Sequence, residues 1–175
     1  VRLGGQEEYV CRQRLVRDVA YGMLTDTQQE TLHLAAGRWL ASVAGAAPEE
    51  TARHLYAGGD TRAAAASWAE AAEAALREGN LIGAVERFDL ALAGTRDSEV
   101  RARLRLRKVG TAIRAGDDAV AAAELEELMH HGAPRDPRER ADYLYWSARV
   151  SGQGPEQERA AFVLLRQAVE LYEEA

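Results

Sequence analysis

The chain has 175 residues, 47% of them hydrophobic, and a formal charge of −6, so it can build a core without staples and is not a disordered segment. The acidic balance opposes wrapping of duplex DNA, and a single cysteine, Cys11, excludes a disulfide framework or a Cys-based zinc site. No run approaches the ~18 apolar residues of a membrane span and no leader pattern opens the chain, so the expectation is a cytoplasmic protein with no membrane partner, with nucleic acid disfavoured.

Residues 1–12 read as a short β-hairpin or its remnant. Val1-Arg2-Leu3 and Tyr9-Val10-Cys11 are β-friendly, and Gly4-Gly5 can supply the turn. Two strands alone are marginal in water, which predicts that this hairpin leans on further material upstream. From Leu15 the apolar period becomes helical, through Val19 and Met23. Thr25 and Gln28 form a capping box, and Leu32, Ala36, Trp39, Leu40 and Val43 continue a second helix until Gly45. Pro48 opens a short third helix that stops at Gly58-Gly59.

Asp60 or Thr61 caps a helix to about Glu78, broken by Gly79-Asn80. Leu81 to Leu92 follows. Asp97 or Ser98 caps a helix to Ala115, ended by Gly116-Asp117. Val120 to Met129, Pro137 to Val150 and Pro155 to the end complete the reading. The count is about nine helices joined by short loops. The expected fold class is all-α, divided into an N-terminal part (1–46) and a run of helical repeats (47–175).

A cadence repeats along this run. Trp68 precedes Gly79, which is followed by Ala84, Phe88 and Ala91. The glycine closes a turn, the alanines let two helices approach, and Phe88 fills the remaining gap. The same order recurs at Gly116, Ala121, Leu125 and Leu128, and more weakly at Gly59, Ala64, Trp68 and Ala71. These residues resemble the tetratricopeptide repeat, with its ~34-residue helical hairpin and A-x3-F element. Ala84 to Phe88 supplies that element. The chain departs from the pattern at Ala71, Ala72 and Ala75, and Arg96 stands where a closing proline is usual. The resemblance implies a TPR-like α-α solenoid whose hairpins stack because none buries its own apolar face.

The stretch Tyr9 to Leu24 (YVCRQRLVRDVAYGML) resembles a segment of large bacterial signal-transduction ATPases. There it reads aromatic, apolar, Arg, His, x, Leu, apolar, Arg, x, Ala-Ala-Tyr, x, x, Leu. Leu32-His33, Trp39-Leu40, Ala52-Arg53-His54-Leu55 and Ala57-Gly58-Gly59-Asp60 extend the likeness, which covers residues 9–93. Gln13 replaces the usual His, and Gln28-Gln29-Glu30 replaces an Arg-rich helix start. Such proteins join a STAND/AAA-type ATPase to a winged-helix element and TPR-like repeats. The cadences Ala20 to Asp26 and Glu78 to Leu81 are most similar to members fused to a serine/threonine protein kinase. LuxR-type regulators and nucleotide cyclase fusions are the alternatives. The resemblance implies that 1–46 ends a winged-helix-like element and that the upstream ATPase is a partner within the same chain.

No catalytic constellation stands out. The only lysine, Lys108, lies mid-helix, so no phosphate-binding G-x-x-x-x-G-K loop exists. The expectation is a non-enzymatic segment without cofactor or metal. His130 and His131 point about 100° apart on a helix and read as exposed residues suited to a helix C-terminus. His33 and His54 read as packing or hydrogen-bonding groups. Glu124, Glu126 and Glu127 read as a solvated face. Arg101, Arg103, Arg105, Arg107 and Lys108 form the one basic cluster, with Arg101, Arg105 and Lys108 on one helical face; it reads as a solvated face balancing neighbouring acids, with an acidic peptide as the functional alternative.

Tyr143 and Trp146 lie three residues apart, and aromatics beside arginines are what peptide-binding hot spots use. Arg103, Arg107, Arg114, Tyr143 and Trp146 are therefore the candidate peptide groove. The alternative function is a self-association module, because the last helix carries apolar Leu164, Leu165, Ala168, Val169, Leu171 and Tyr172, or a stand-alone helical adaptor.

Overall fold

The computed structural model describes residues 12–151 and 154–174. Within them the chain is all-helical, with nine helices and no strand. The elements are α1 (Arg14–Gly22), α2 (Asp26–Ser42), α3 (Pro48–Ala57), α4 (Thr61–Arg77), α5 (Leu81–Gly94), α6 (Ser98–Ala115), α7 (Asp118–His131), α8 (Pro137–Val150) and α9 (Pro155–Glu174). The N-terminal hairpin expectation lies, except for Arg12, outside the described residues. No described helix is long and apolar enough to cross a membrane. The chain divides into two compact units, Val1–Ala71 and Ala72–Ala175.

One turn design recurs at three junctions. Gly59, Gly79 and Gly116 have φ of +80°, +78° and +81°, the left-handed region that glycine enters without strain. At Gly116 the chain closes α6 with the paired bonds of a Schellman motif, Asp117 N–H to Ala112 O and Gly116 N–H to Ile113 O. The residue after each glycine then starts the next helix. The carboxylate of Asp60, the amide oxygen of Asn80 and the carboxylate of Asp117 accept from the backbone N–H of Ala63, Gly83 and Val120, at 2.9–3.1 Å. Five residues past each glycine stands a buried alanine: Ala64, Ala84 and Ala121.

In the first unit, α2 and α3 pack as a pair. Gly58 makes their close approach. A Cβ there would sit 2.5 Å from the backbone nitrogen of Leu34. Thr25 and Gln28 form the expected capping box. α1 buries no residue and is tied down by polar bonds. The Tyr21 hydroxyl meets His33 Nε2 at 2.8 Å, His33 Nδ1 meets His54 Nδ1 at 3.0 Å, and the Gln29 amide donates to the carbonyls of Tyr21 and Leu24. His33 and His54 thus serve as hydrogen-bonding groups between helices. Trp68 of α4 is buried.

In the second unit, α5, α6, α7, α8 and α9 pack in sequence, and α6 also reaches α8. The core contains Leu106, Val109, Ala112, Ala121, Leu125 and Leu128, with Tyr143 and Trp146 packed against it. Phe88 and Ala91 are fully buried.

Burial, then the neighbouring His33, depress the pKa of His54 below 6.5, against an opposing pull from Glu50. The unfolded chain therefore binds a proton that the folded chain resists. The stability from this group is whole above pH 6.5 and is lost as pH falls below it. The thermal midpoint, followed by circular dichroism between pH 7 and 5, should fall more steeply in the wild type than in His54→Asn. Parallel slopes would contradict the assignment.

Candidate functional site

Arg103, Arg107, Gly110 and Arg114 lie along one stripe of α6, at offsets of four, seven and eleven residues. On α8, Arg138, Asp142 and Trp146 share a face at successive i,i+4 steps. The two faces line a cleft of about 470 Å³, to which Leu76 of α4 also contributes. Trp146 lies against Gly110. A Cβ at that glycine would come within 3.3 Å of the indole Cζ2, so the small residue lets the ring lie close to α6. Tyr145 meets the same indole edge-on, with centroids 4.7 Å apart.

Two arginines of the stripe are clamped. Arg103 Nε donates to Glu139 Oε1 at 2.5 Å. Arg107 makes a two-pronged pair with Glu73, at 2.8 and 2.5 Å. The hydrogen bond accepted by Glu139 and its charge hold the Arg103 guanidinium above its ordinary pKa, and the hydrogen bond that Arg107 donates to Glu73 does the same for Arg107. Arg114 and Arg138 are exposed and have no ion-pair or hydrogen-bond partner among the described residues. Glu139 Oε2 is buried without a partner among them. The cleft therefore presents two cations without a partner among the described residues, Arg114 and Arg138, together with the indole of Trp146.

Of the five groove residues expected from the sequence, Arg103, Arg107, Arg114 and Trp146 meet in this cleft. Tyr143 does not line it. Three helical residues turn the chain by about 300°, and this offset carries Tyr143 to the core side while Trp146 keeps one face toward the cleft. Arg138, Glu139 and Asp142 are additions that the sequence reading lacks. Their signal is the Arg138–Asp142–Trp146 spacing, visible only once α8 is read together with the stripe on α6.

The opposite face of α6 corrects two sequence expectations. Arg101, Arg105 and Lys108 are not a solvated cationic face, and Glu124 is not solvated. Lys108 is 6% exposed and Glu124 9%. The Lys108 ammonium donates to Asp89 on α5 at 2.5 Å and to Glu124 on α7 at 2.8 Å. Arg105 pairs with Glu124 and with Glu127, the latter at 2.7 Å. Arg101 donates to the carbonyls of Leu92 and Thr95 at the end of α5. Burial pulls the Lys108 pKa down, but its bonds to Asp89 and Glu124 outweigh that and leave it raised. Residue pattern alone hides this, because a buried ion pair and a solvated one have the same residue types.

His130 and His131 are exposed and sit i,i+4 from Glu126 and Glu127, at 3.7 and 3.6 Å. Among the described residues, no group of three or more His, Cys, Asp or Glu is placed to hold a metal ion. No family model, curated protein or solved structure matches this chain.

Removing one member of a buried ion network leaves its partners uncompensated, at a cost of about 3–5 kcal/mol. Glu124 keeps Arg105, so Lys108→Met should destabilise at the low end, about 3 kcal/mol, measured by urea unfolding. The double variant Lys108→Met/Glu124→Leu should recover part of that loss. A single variant as stable as wild type would show that the network holds nothing.

Proposed function

We propose that this chain is a non-catalytic, TPR-like interaction segment that binds an acidic peptide in the cleft between α6 and α8. The carrying observation is that two cations without a partner among the described residues, Arg114 and Arg138, line the same cleft as the indole of Trp146. Carboxylate side chains meet the two guanidiniums, which suit planar two-pronged recognition. An apolar side chain rests on Trp146, the type of anchor that dominates binding energy.

The wider setting follows from the resemblance over residues 9–93. In this reading the helices form an α-α solenoid in a large cytoplasmic bacterial signalling ATPase of the STAND type, linked to a serine/threonine protein kinase. Peptide occupancy is passed to the ATPase domain of the same chain. The repeated Gly-Asx turns with a buried alanine five residues on support the repeat part of this proposal. No nucleotide is bound by this segment itself, consistent with the lack of a Gly-rich lysine loop in its sequence.

Selection from a displayed random dodecapeptide library should enrich sequences that combine Asp or Glu with one aromatic or branched apolar residue. Arg114→Glu and Arg138→Glu should each weaken the selected peptide at least ~10-fold by fluorescence anisotropy, about 1.4 kcal/mol. Both positions are exposed, so Arg138→Glu should leave thermal stability nearly unchanged and Arg114→Glu, in the last turn of α6, should cost no more than about 1 kcal/mol. Binding that survives both reversals, or a selection with no acidic enrichment, would refute the proposal.

A further inference from the structure

α9 carries two apolar seams side by side. Ala161, Leu164, Ala168 and Leu171 face inward on the helix that packs against α8. One residue further on, Phe162, Leu165, Val169 and Tyr172 repeat the same three-four-three spacing. Their exposures are 69%, 40%, 53% and 42%. This is the a/d spacing by which one helix receives another. Among the described residues the inward seam is covered and the outward seam is exposed. Tyr172 is held in place at its hydroxyl, which donates to Asp142 of α8, so its ring is fixed at one end of the outward seam.

The charges along the outward seam select its occupant. Arg159, Arg166 and Glu173 follow at seven-residue steps on one flank. Arg166 pairs with Glu170 at 3.1 Å and is offset within its own helix. Arg159 and Glu173, at the two ends, have no partner among the described residues. They lie about 21 Å apart along the axis, from 1.5 Å per residue. In a parallel pairing of two such helices this flank lies opposite the other flank of the partner, where Ala161 and Ala168 stand, so Arg159 and Glu173 gain no opposite charge. In an antiparallel pairing, each Arg159 faces Glu173 of the other copy. Phe162 then stacks on Tyr172 of the second copy, and Leu165 meets Val169.

We infer that the outward face of α9 is a self-complementary interface through which two copies of this chain pair antiparallel about a two-fold axis. The contact has four apolar layers and two terminal ion pairs. That places it below about 1,200 Å², in the weak and reversible class of interfaces. The interface uses other residues than the peptide cleft and touches it only where the Tyr172 hydroxyl donates to Asp142.

Sedimentation velocity on the full chain, from about 5 to 500 μM, tests it in the weak range expected of such interfaces. The wild type should shift with concentration from the 19.1 kDa monomer toward twice that mass. Leu165→Glu should remain monomeric throughout, with an unchanged circular dichroism spectrum because the position is exposed. Arg159→Glu should weaken dimerisation about 10-fold or more, as expected for like charges brought face to face. The double variant Arg159→Glu/Glu173→Arg should restore it. A wild type that stays monomeric to the highest concentration would overturn the inference. So would a dimer indifferent to Leu165→Glu, and failure of the double variant to recover would overturn the antiparallel geometry.

Discussion

The Lys108 ammonium, buried between carboxylates from two other helices, sets the rotation of α6. A cation with 6% exposure is tolerated only where opposite charge meets it at hydrogen-bond distance. Asp89 on α5 and Glu124 on α7 do so, and Arg105 joins Glu124 to Glu127. Once Arg105 and Lys108 turn toward α5 and α7, the 100° step of the helix carries Arg103, Arg107 and Arg114 to the other side. There they face α8 and the end of α4. The cleft is thus a consequence of how the internal ion network orients one helix.

Backbone geometry supplies the framework for that orientation. Each Gly-Asx turn ends one helix through a left-handed glycine and begins the next through a side-chain cap, leaving few ways to join them. The buried alanines five residues beyond, Ala64, Ala84 and Ala121, sit where a larger side chain would push two helices apart. Small residues act in the same way at the site itself, where Gly110 leaves room for the Trp146 indole.

The helices are legible in the sequence because their boundaries rest on local chemistry. Thr25, Asn80, Asp97, Asp117 and Asp136 each accept from a backbone N–H in the first turn of the following helix. Those bonds need only neighbouring residues. The site is legible in part. The stripe Arg103–Arg107–Arg114 and Trp146 can be read from spacing alone. The division of the α6 cations between buried and exposed faces cannot, since it depends on Asp89 and Glu124, 19 and 16 residues away in the chain. Tyr143 escapes a reading by spacing for a related reason: two aromatics three residues apart straddle the boundary between core and cleft, and only the packing against α6 decides which turns inward.

α6 therefore carries its cations on two faces: Arg101, Arg105 and Lys108 are spent on bonds to α5 and α7, while on the cleft face Arg103 and Arg107 are clamped and Arg114 has no partner among the described residues. Side-chain NMR of the arginine Hε and tryptophan indole protons, titrated with an acidic peptide selected for binding, tests this division most directly. The signals of Arg114, Arg138 and the Trp146 indole should move together and saturate, while those of Arg101 and Arg105 stay in place. Shifts at Arg101 and Arg105, with Arg114 and Trp146 unmoved, would place binding elsewhere and contradict the division.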